Sequence, residues 1–204
     1  FKFEDISTKS GIEGKKAWST GVVMVDINGD GLLDIYVCDA GSNIDAIRKS
    51  QLYINNGNAT FTEKAAEYNL ADTGITTHAA FFDYDKDGDL DCYILNNSFI
   101  PVSTLNYSNK RELRDKDWDV ADILKGGGDR LMRNDNGKFV DISKESGIYQ
   151  AAMGYGLGIS VADINNDGFQ DVMTLDMYPD DEKVEKSSVG EDPLDIYMYK
   201  LQFG

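Results

Sequence analysis

The chain has 204 residues, and 41% of them are hydrophobic, which is enough to bury the core of one large domain. Its 36 acidic and 20 basic residues give a formal net charge of −16, and this charge argues against nucleic acids and anionic membranes as partners. The single histidine argues against a multi-histidine metal site, and the two cysteines are too few for a disulfide framework. The sequence contains no run of about 18 apolar residues, so no transmembrane helix is predicted.

The first predicted element is a phenylalanine-led segment, FEDISTKSGI, which recurs as FTEKAAEYNL from Phe61 and FVDISKESGI from Phe139. After its first copy come an apolar run (GVVMV), an acidic loop (DINGDGLLD) and two further apolar segments (DIYV and QLYI). We interpret each apolar segment as a β-strand and the next phenylalanine-led segment as the fourth strand. Residues 1–12 are then the outer strand of a preceding blade, and residues 13–70 form one complete blade.

The same order of segments recurs along the chain, which identifies the unit as a repeat. The second unit spans residues 71–148 and carries an insertion at residues 97–128, and the third unit, residues 149–204, is partial. Four antiparallel strands per unit, with apolar first strands, predict an all-β fold of the β-propeller class, in which neighbouring blades cover each innermost strand. The chain is thus predicted to hold two full blades and parts of two others, as a piece of a longer protein.

Each unit contains an acidic loop of the form DxDxDGxxD or DxNxDGxxD, at residues 26–34, 83–91 and 163–171. Calcium takes about 6 to 8 oxygen ligands, and the EF-hand supplies them from loop positions 1, 3, 5, 7 and 9, with glycine at position 6. The three loops match this pattern, and crowded carboxylates repel each other without a cation, so we predict one calcium ion per loop. The predicted ligands are the side chains of Asp26, Asn28, Asp30 and Asp34, of Asp83, Asp85, Asp87 and Asp91, and of Asp163, Asn165, Asp167 and Asp171, with the backbone carbonyls of Leu32, Asp89 and Phe169.

The loops differ from EF-hands, because position 12 holds Val37, Ile94 or Thr174 where a bidentate glutamate belongs, and no helix pattern flanks them. They therefore predict a structural clamp and not the helix-opening switch of a calcium sensor. Two other interpretations stay open at this point: a solvated acidic turn, and a catalytic site for magnesium or for two metal ions.

The insertion is the predicted surface for a partner, because loops on a rigid scaffold often carry function. It combines a mixed-charge segment with one tryptophan and a run of three glycines. Arginine and tryptophan are favoured at binding hot spots, which makes Arg111, Arg114 and Trp118 the candidate partner-binding residues. The alternative is a solvated surface excursion without a partner.

Three further features complete the set of predictions. His78 lies five residues before a loop, where it is either a buried, hydrogen-bonded histidine or a residue lining the central channel. Cys38 and Cys92 are predicted to be small buried hydrophobic residues. The segment DPLDIYMYKLQF places apolar residues on one helical face after an Asp-Pro start, which predicts a helix over residues 193–203.

The apolar strand, acidic loop and DIYV strand resemble the FG-GAP or VCBS repeat of integrin-type β-propellers. The succession of WSTGVVMVDINGDGLLDIYV, LYINNGNATFTEKAAEYNL, THAAFFDYDKDGDLDCYILNNS and RLMRNDNGKFVDISKESGI is similar to bacterial VCBS-repeat proteins grouped with the cartilage acidic protein and ASPIC/UnbV family, as far as Pro179. This resemblance implies calcium in the loops and export to the cell surface. It also implies a lipoprotein beside an outer-membrane nutrient-uptake complex.

These observations predict a non-enzymatic, calcium-stabilised extracellular propeller that serves as a binding or assembly module for a protein or glycan partner. We find no catalytic constellation in the sequence and predict no cofactor other than calcium. One alternative is an enzyme, for example one acting on polysaccharide, whose active site lies in the channel or in blades outside these residues. Another is an adhesin whose calcium bridges a carboxylate of its partner, which would need an open coordination position.

Overall fold

The computed structural model describes residues 1–14, 18–41, 48–99, 127–148, 150, 154–176 and 195–199. The candidate partner-binding residues Arg111, Arg114 and Trp118 lie outside these ranges. The described helices are α1 (Ser7–Ser10) and α2 (Ala65–Tyr68), and the strands are β1 (Ser19–Val25), β2 (Asp34–Asp39), β3 (Gln51–Asn55), β4 (Phe61–Glu63), β5 (Ile75–Phe82), β6 (Asp91–Asn97), β7 (Arg130–Asn134), β8 (Phe139–Asp141), β9 (Gly156–Ala162), β10 (Asp171–Asp176) and β11 (Asp195–Tyr199).

The strands form three antiparallel sheets, which confirms the predicted all-β fold class. The first sheet has the order β1-β2-β3-β4, the second β5-β6-β7-β8, and the third β11-β10-β9. In each sheet an acidic loop joins the first two strands, so the last residue before the loop pairs with the last aspartate of the loop. These pairs are Val25 with Asp34, Phe82 with Asp91, and Ala162 with Asp171.

Apolar side chains fill the space between neighbouring sheets. Phe81 of β5 makes edge-to-face contacts with Tyr36 of the first sheet, at 5.5 Å between ring centroids, and with Phe139 of its own sheet, at 6.5 Å. Cys38 and Cys92 are free thiols buried in the same cluster. A second apolar cluster joins the second sheet to the third. The sheets therefore pack face to face in chain order, as neighbouring blades do.

The first strands of neighbouring sheets approach closely at a repeated β-bulge. Thr20 of β1 donates a hydroxyl hydrogen bond to the carbonyl of Thr76 at 2.5 Å, and Thr77 of β5 donates one to the carbonyl of Gly156 at 2.9 Å. Both threonines sit where the strand register shifts. A Cβ atom on Gly21 would lie 2.6 Å from the Thr77 carbonyl oxygen, so this position requires glycine. The same contact thus connects the first sheet to the second and the second to the third.

The single histidine, His78, lies in β5 opposite Leu95 and is half-buried. In the part of the chain that the structure describes, its buried Nδ1 atom has no hydrogen-bond partner. Both roles considered for this residue therefore stay predictions.

The third sheet contains a strand where the sequence predicts a helix. Residues 195–199 form β11, so the predicted helix over residues 193–203 is wrong for them. The segment DIYMY is rich in β-branched and aromatic residues, which favour strands. The edge of β10 also offers unpaired backbone groups, and β11 pairs with it from Val172–Tyr199 to Asp176–Asp195.

The predicted outer strand within residues 1–12 is also wrong, because this segment contains helix α1 and no strand. The equivalent segments β4 and β8 are strands because each pairs with the strand before it, and residues 1–12 have no such partner in the described part of the chain. A short helix with the same ending does recur. The residue directly after α1 is Gly11 (φ 80°) and the residue directly after α2 is Asn69 (φ 67°), and both are left-handed.

Candidate metal centre

The three acidic loops share a backbone conformation with positive φ at positions 4 and 6. Glycine suits position 6 because it has no side chain to clash in the left-handed region. Position 4 also lies in the left-handed region, although its residue type differs between the loops. At position 6 the angle is 85° in Gly31, 98° in Gly88 and 87° in Gly168, and position 4 holds Gly29 (71°), Lys86 (64°) and Asn166 (59°).

The first aspartate of each loop accepts hydrogen bonds from backbone N–H groups across the turn. Asp26 accepts from Asp30 at 3.0 Å and from Gly31 at 2.8 Å. The third loop repeats both bonds at the same distances. Within the described residues of the second loop, Asp83 accepts one such bond, from Gly88 at 3.2 Å. The second loop is therefore closed by fewer of its own hydrogen bonds.

The last aspartate of the first loop fastens the loop to the sheet. Asp34 is fully buried and accepts the N–H of Ile27 at 3.1 Å and the N–H of Asn55, in β3, at 2.7 Å. The Asn55 side chain in turn donates to the carbonyl of Leu33 at 3.0 Å. Sequence reasoning missed this role of Asn55. The available signal was that QLYIN and RLMRN both end in asparagine, at Asn55 and Asn134.

The second loop repeats this bridge. Asp91 accepts the N–H of Tyr84 at 3.0 Å and the N–H of Asn134 at 2.8 Å, and Asn134 donates to the carbonyl of Leu90 at 3.1 Å. Burial raises the pKa of Asp91 to about 7, although these two backbone hydrogen bonds act to lower it. This carboxylate is therefore a poorly solvated structural bridge at the base of the loop. In the third loop Asp171 accepts the N–H of Ile164 at 2.9 Å.

Carboxylates cluster in the second loop. Ligand oxygens of Asp83, Asp85 and Asp91 all lie within 4.8 Å of one another, and among the described residues this is the one such group of three that could hold a metal ion. The Oδ1 atoms of Asp83, Asp85 and Asp89 are buried and have no hydrogen-bond partner within the described ranges. A bound cation would supply the missing partner for the Asp83 and Asp85 oxygens, which belong to this cluster.

Position 3 explains much of the difference between the loops. In the first loop Asn28 accepts the N–H of Asp30 and donates its own amide to the Asp30 carboxylate, both at 3.0 Å. Asn165 and Asp167 repeat this pair in the third loop. The second loop has Asp85 at position 3, and a carboxylate cannot donate to its neighbour. Like charges therefore replace a hydrogen bond in the second loop.

The remaining predicted ligands lie at the rim of the loops. Asp87 is exposed and accepts the N–H of Asp89 at 3.1 Å. Leu32 and Phe169 occupy position 7 of the other two loops, and their N–H groups donate to the position 5 aspartates at 2.8 Å and 2.9 Å. The predicted ligands of each loop thus lie within one turn, but only the second loop brings three carboxylates together among the described residues.

Packed antiparallel sheets, each with an acidic loop between its first two strands, define a repeat protein with β-propeller-like blades. Residues 26–94, which include the first two acidic loops, match the FG-GAP-like repeat family. This match supports an FG-GAP/VCBS-type repeat protein and confirms that part of the sequence-based resemblance. No curated protein matches the chain at a significant level. Among the described residues, no helix is both long and apolar enough to cross a bilayer.

Proposed function

We propose that this chain is a calcium-stabilised β-propeller module that binds a partner and holds one calcium ion in each acidic loop. The proposal rests on the carboxylate cluster of the second loop, where oxygens of Asp83, Asp85 and Asp91 lie within 4.8 Å of one another. Calcium is a hard cation that prefers such a donor set, made of oxygen atoms only. FG-GAP repeats are generally protein-interaction modules, which supports a binding role.

Calcium would act in this module as a structural clamp. In the second loop its ligands would be the side chains of Asp83, Asp85, Asp87 and Asp91 and the carbonyl of Asp89. The ion would offset the repulsion among these carboxylates and the cost of burying Asp91. Because the loop joins two strands of one sheet, the free energy of calcium binding would add to the free energy of unfolding.

We also propose an extracellular or cell-surface location. The loops lack the bidentate glutamate of high-affinity sites, and extracellular calcium modules bind with dissociation constants of about 10⁻⁴ to 10⁻³ M. Sites of this strength fill only where calcium is abundant. The resemblance to the cartilage acidic protein and ASPIC/UnbV group supports a narrower proposal: an exported surface lipoprotein that assists an outer-membrane nutrient-uptake complex and contacts a protein or glycan there.

The insertion at residues 97–128 is the proposed partner surface, with Arg111, Arg114 and Trp118 as its contacts. Arginine and tryptophan account for much of the binding energy at protein interfaces, which is the physical support for these three residues. A non-enzymatic role belongs to the same proposal. A polysaccharide-acting enzyme is the alternative, and hydrolysis of a glycan by the purified protein would favour it.

Calcium titration followed by calorimetry tests the clamp. We expect about three bound ions and a melting temperature that rises with calcium, because each site adds about 2.7 kcal/mol when free calcium is 100 times its dissociation constant. The double variant Asp83→Asn/Asp85→Asn should bind one ion fewer and show a smaller rise. Glu145→Gln, an exposed acidic position outside the loops, is the matched control. No calcium uptake, or uptake that leaves melting unchanged, would refute the clamp.

A further inference from the structure

Neighbouring acidic loops lie close enough for a side chain of one loop to contact the next. Lys86, at position 4 of the second loop, reaches the third loop, and its Nζ lies 3.7 Å from the centroid of the Phe169 ring. The same ammonium group lies 3.4 Å from where a Cβ atom on Gly168 would be. A lysine therefore occupies the space between position 4 of one loop and positions 6 and 7 of the next. The contact is a cation–π interaction.

The equivalent space between the first and second loops is an open cavity of about 430 Å³. Position 4 of the first loop is Gly29, which has no side chain to enter this space, and no atom of the described residues outside its chain neighbours lies within 4 Å of a Cβ atom built there. Positions 6 and 7 of the second loop, Gly88 and Asp89, also line this cavity. The cavity thus lies where the next pair of loops has the lysine.

The walls of this cavity suit a cation. Among the described residues, its lining includes the acidic residues Asp26 and Asp89, the aromatic residue Tyr68 and the asparagines Asn134 and Asn136, and it includes no lysine or arginine. Within the described residues, the buried Oδ1 of Asp89 has no hydrogen-bond partner. Asp89 is also the only acidic residue at position 7, since the other loops hold leucine and phenylalanine there. The lining of the cavity therefore combines acidic residues, an aromatic residue and a carboxylate with one oxygen that has no partner among the described residues.

We propose that the cavity between the first two acidic loops binds a primary ammonium group at the end of an alkyl chain, such as a lysine side chain of a partner. The Asp89 carboxylate would accept its hydrogen bonds and the Tyr68 ring would contact its alkyl stem. Lys86 against Phe169 shows the same group in the same place one blade further on. Asp89 is a predicted calcium ligand through its backbone carbonyl only, so calcium in the second loop would leave the Asp89 carboxylate available to the ammonium group.

An NMR titration of ¹⁵N-labelled protein tests this site. The probes are n-butylammonium and Nα-acetyl-lysine methylamide, with n-butanol as the neutral isostere and sodium chloride at equal ionic strength. We expect both amines to shift the backbone amide signals of Gly29, Gly88 and Asp89, with dissociation constants of about 1 to 10 mM for ligands of this size. Stronger binding of the lysine derivative would show that its peptide groups add to binding, as expected for a lysine side chain of a protein partner. Equal binding would show that the alkylammonium group alone is recognised.

Two variants separate the proposed contacts. Asp89→Asn keeps the shape and the backbone carbonyl but removes the charge, and it should weaken amine binding about fivefold, as expected for the loss of a partly exposed ion pair. Gly29→Lys should abolish it, because the new side chain can fill the cavity as Lys86 fills the neighbouring space. Gly29→Asn is the matched control, since Asn166 occupies this position in the third loop with the same left-handed backbone; it should still bind the amine.

The result that would overturn the proposal is an amine response no larger than that of n-butanol or sodium chloride. Undiminished binding by both Asp89→Asn and Gly29→Lys would also overturn it, because the amine would then bind elsewhere. Calcium titration of the same samples keeps the two proposals apart. Amine binding without calcium uptake would refute only the clamp, and calcium uptake without amine binding would refute only the cavity site.

Discussion

The first and second acidic loops share nine positions and similar backbone angles, yet they arrange their charges differently. In the first loop Asn28 exchanges hydrogen bonds with Asp30, and Asp26 accepts two backbone N–H groups. In the second loop Asp85 replaces the asparagine, and three carboxylate oxygens gather within 4.8 Å. The loops differ at positions 2, 3, 4 and 7, and position 3 bears most directly on this contrast: Asn28 forms hydrogen bonds with its neighbour, whereas Asp85 adds a carboxylate whose Oδ1 has no partner among the described residues.

The largest expected effect concerns the aspartate at position 9, which has the same role in both loops. Asp34 and Asp91 each accept two backbone N–H groups from a buried position. Asp34→Ala and Asp91→Ala should each lower the free energy of unfolding by about 2 to 3 kcal/mol, because two backbone donors lose their acceptor. Urea denaturation in calcium and in chelator measures both values.

Because the hydrogen bonds of Asp34 and Asp91 to backbone N–H groups do not require calcium, both variants should lose stability in calcium and in chelator alike. Asp87→Ala is the control, because Asp87 is exposed and accepts only from within its own loop among the described contacts. It should lower stability in calcium far more than in chelator. If Asp34→Ala and Asp91→Ala behaved like Asp87→Ala, position 9 would act only as a calcium ligand and the bridge to the third strand would contribute little.

An exchange of residues at position 3 should give a smaller effect of opposite sign in the two loops. Asp85→Asn removes one of the crowded carboxylates and should stabilise the calcium-free protein by about 1 kcal/mol, while reducing the stabilisation by calcium. Asn28→Asp should do the reverse in the first loop. For a chain of this size, 1 kcal/mol corresponds to about 2 to 4 °C in melting temperature, which calorimetry resolves.

Each position 3 variant is the control for the other, because both change the same position by one charge. The double variant Asn28→Asp/Asp85→Asn restores the net charge of the chain and should leave calcium-free stability near that of the parent protein. Shifts in the same direction for both single variants would contradict the prediction, because the two changes alter the local charge in opposite senses. A stabilisation by Glu145→Gln as large as that by Asp85→Asn would mean that net charge, and not the local hydrogen bonds of each loop, sets stability, because Glu145→Gln removes one negative charge outside the loops.

Much of the fold was predictable because the repeat can be recognised from segments that recur along the sequence. The spacing of phenylalanine-led segments and acidic loops predicted four strands per unit, and β1 to β8 form two such sheets. The segment at residues 195–199 was predicted wrongly, since DIYMY fits a helical face as well as an alternating strand. Pairing with β10 decides between them, and that long-range contact is absent from a local pattern.

The candidate site was predictable in its residues but not in its partners. The sequence identified the loop positions, but it did not show that Asp34 and Asp91 bind the backbone of Asn55 and Asn134. Nor did it show that Lys86 crosses to the next loop. These contacts join residues far apart in sequence, so local motifs do not report them.

The smallest expected effect concerns the space between the second and third loops. Lys86→Met keeps the alkyl chain but removes the charge over the Phe169 ring, and it should lower the free energy of unfolding by about 0.5 kcal/mol, as expected for an exposed cation–π contact. Phe169→Leu places at position 7 the residue found in the first loop. In a double-mutant cycle with Lys86→Met, it should give a coupling energy of similar size. Lys144→Met, at an exposed position outside the loops, is the control and should leave stability unchanged. A coupling energy of zero would show that Lys86 and Phe169 are neighbours without attraction, and this contact would then no longer support an ammonium group in the cavity between the first two loops.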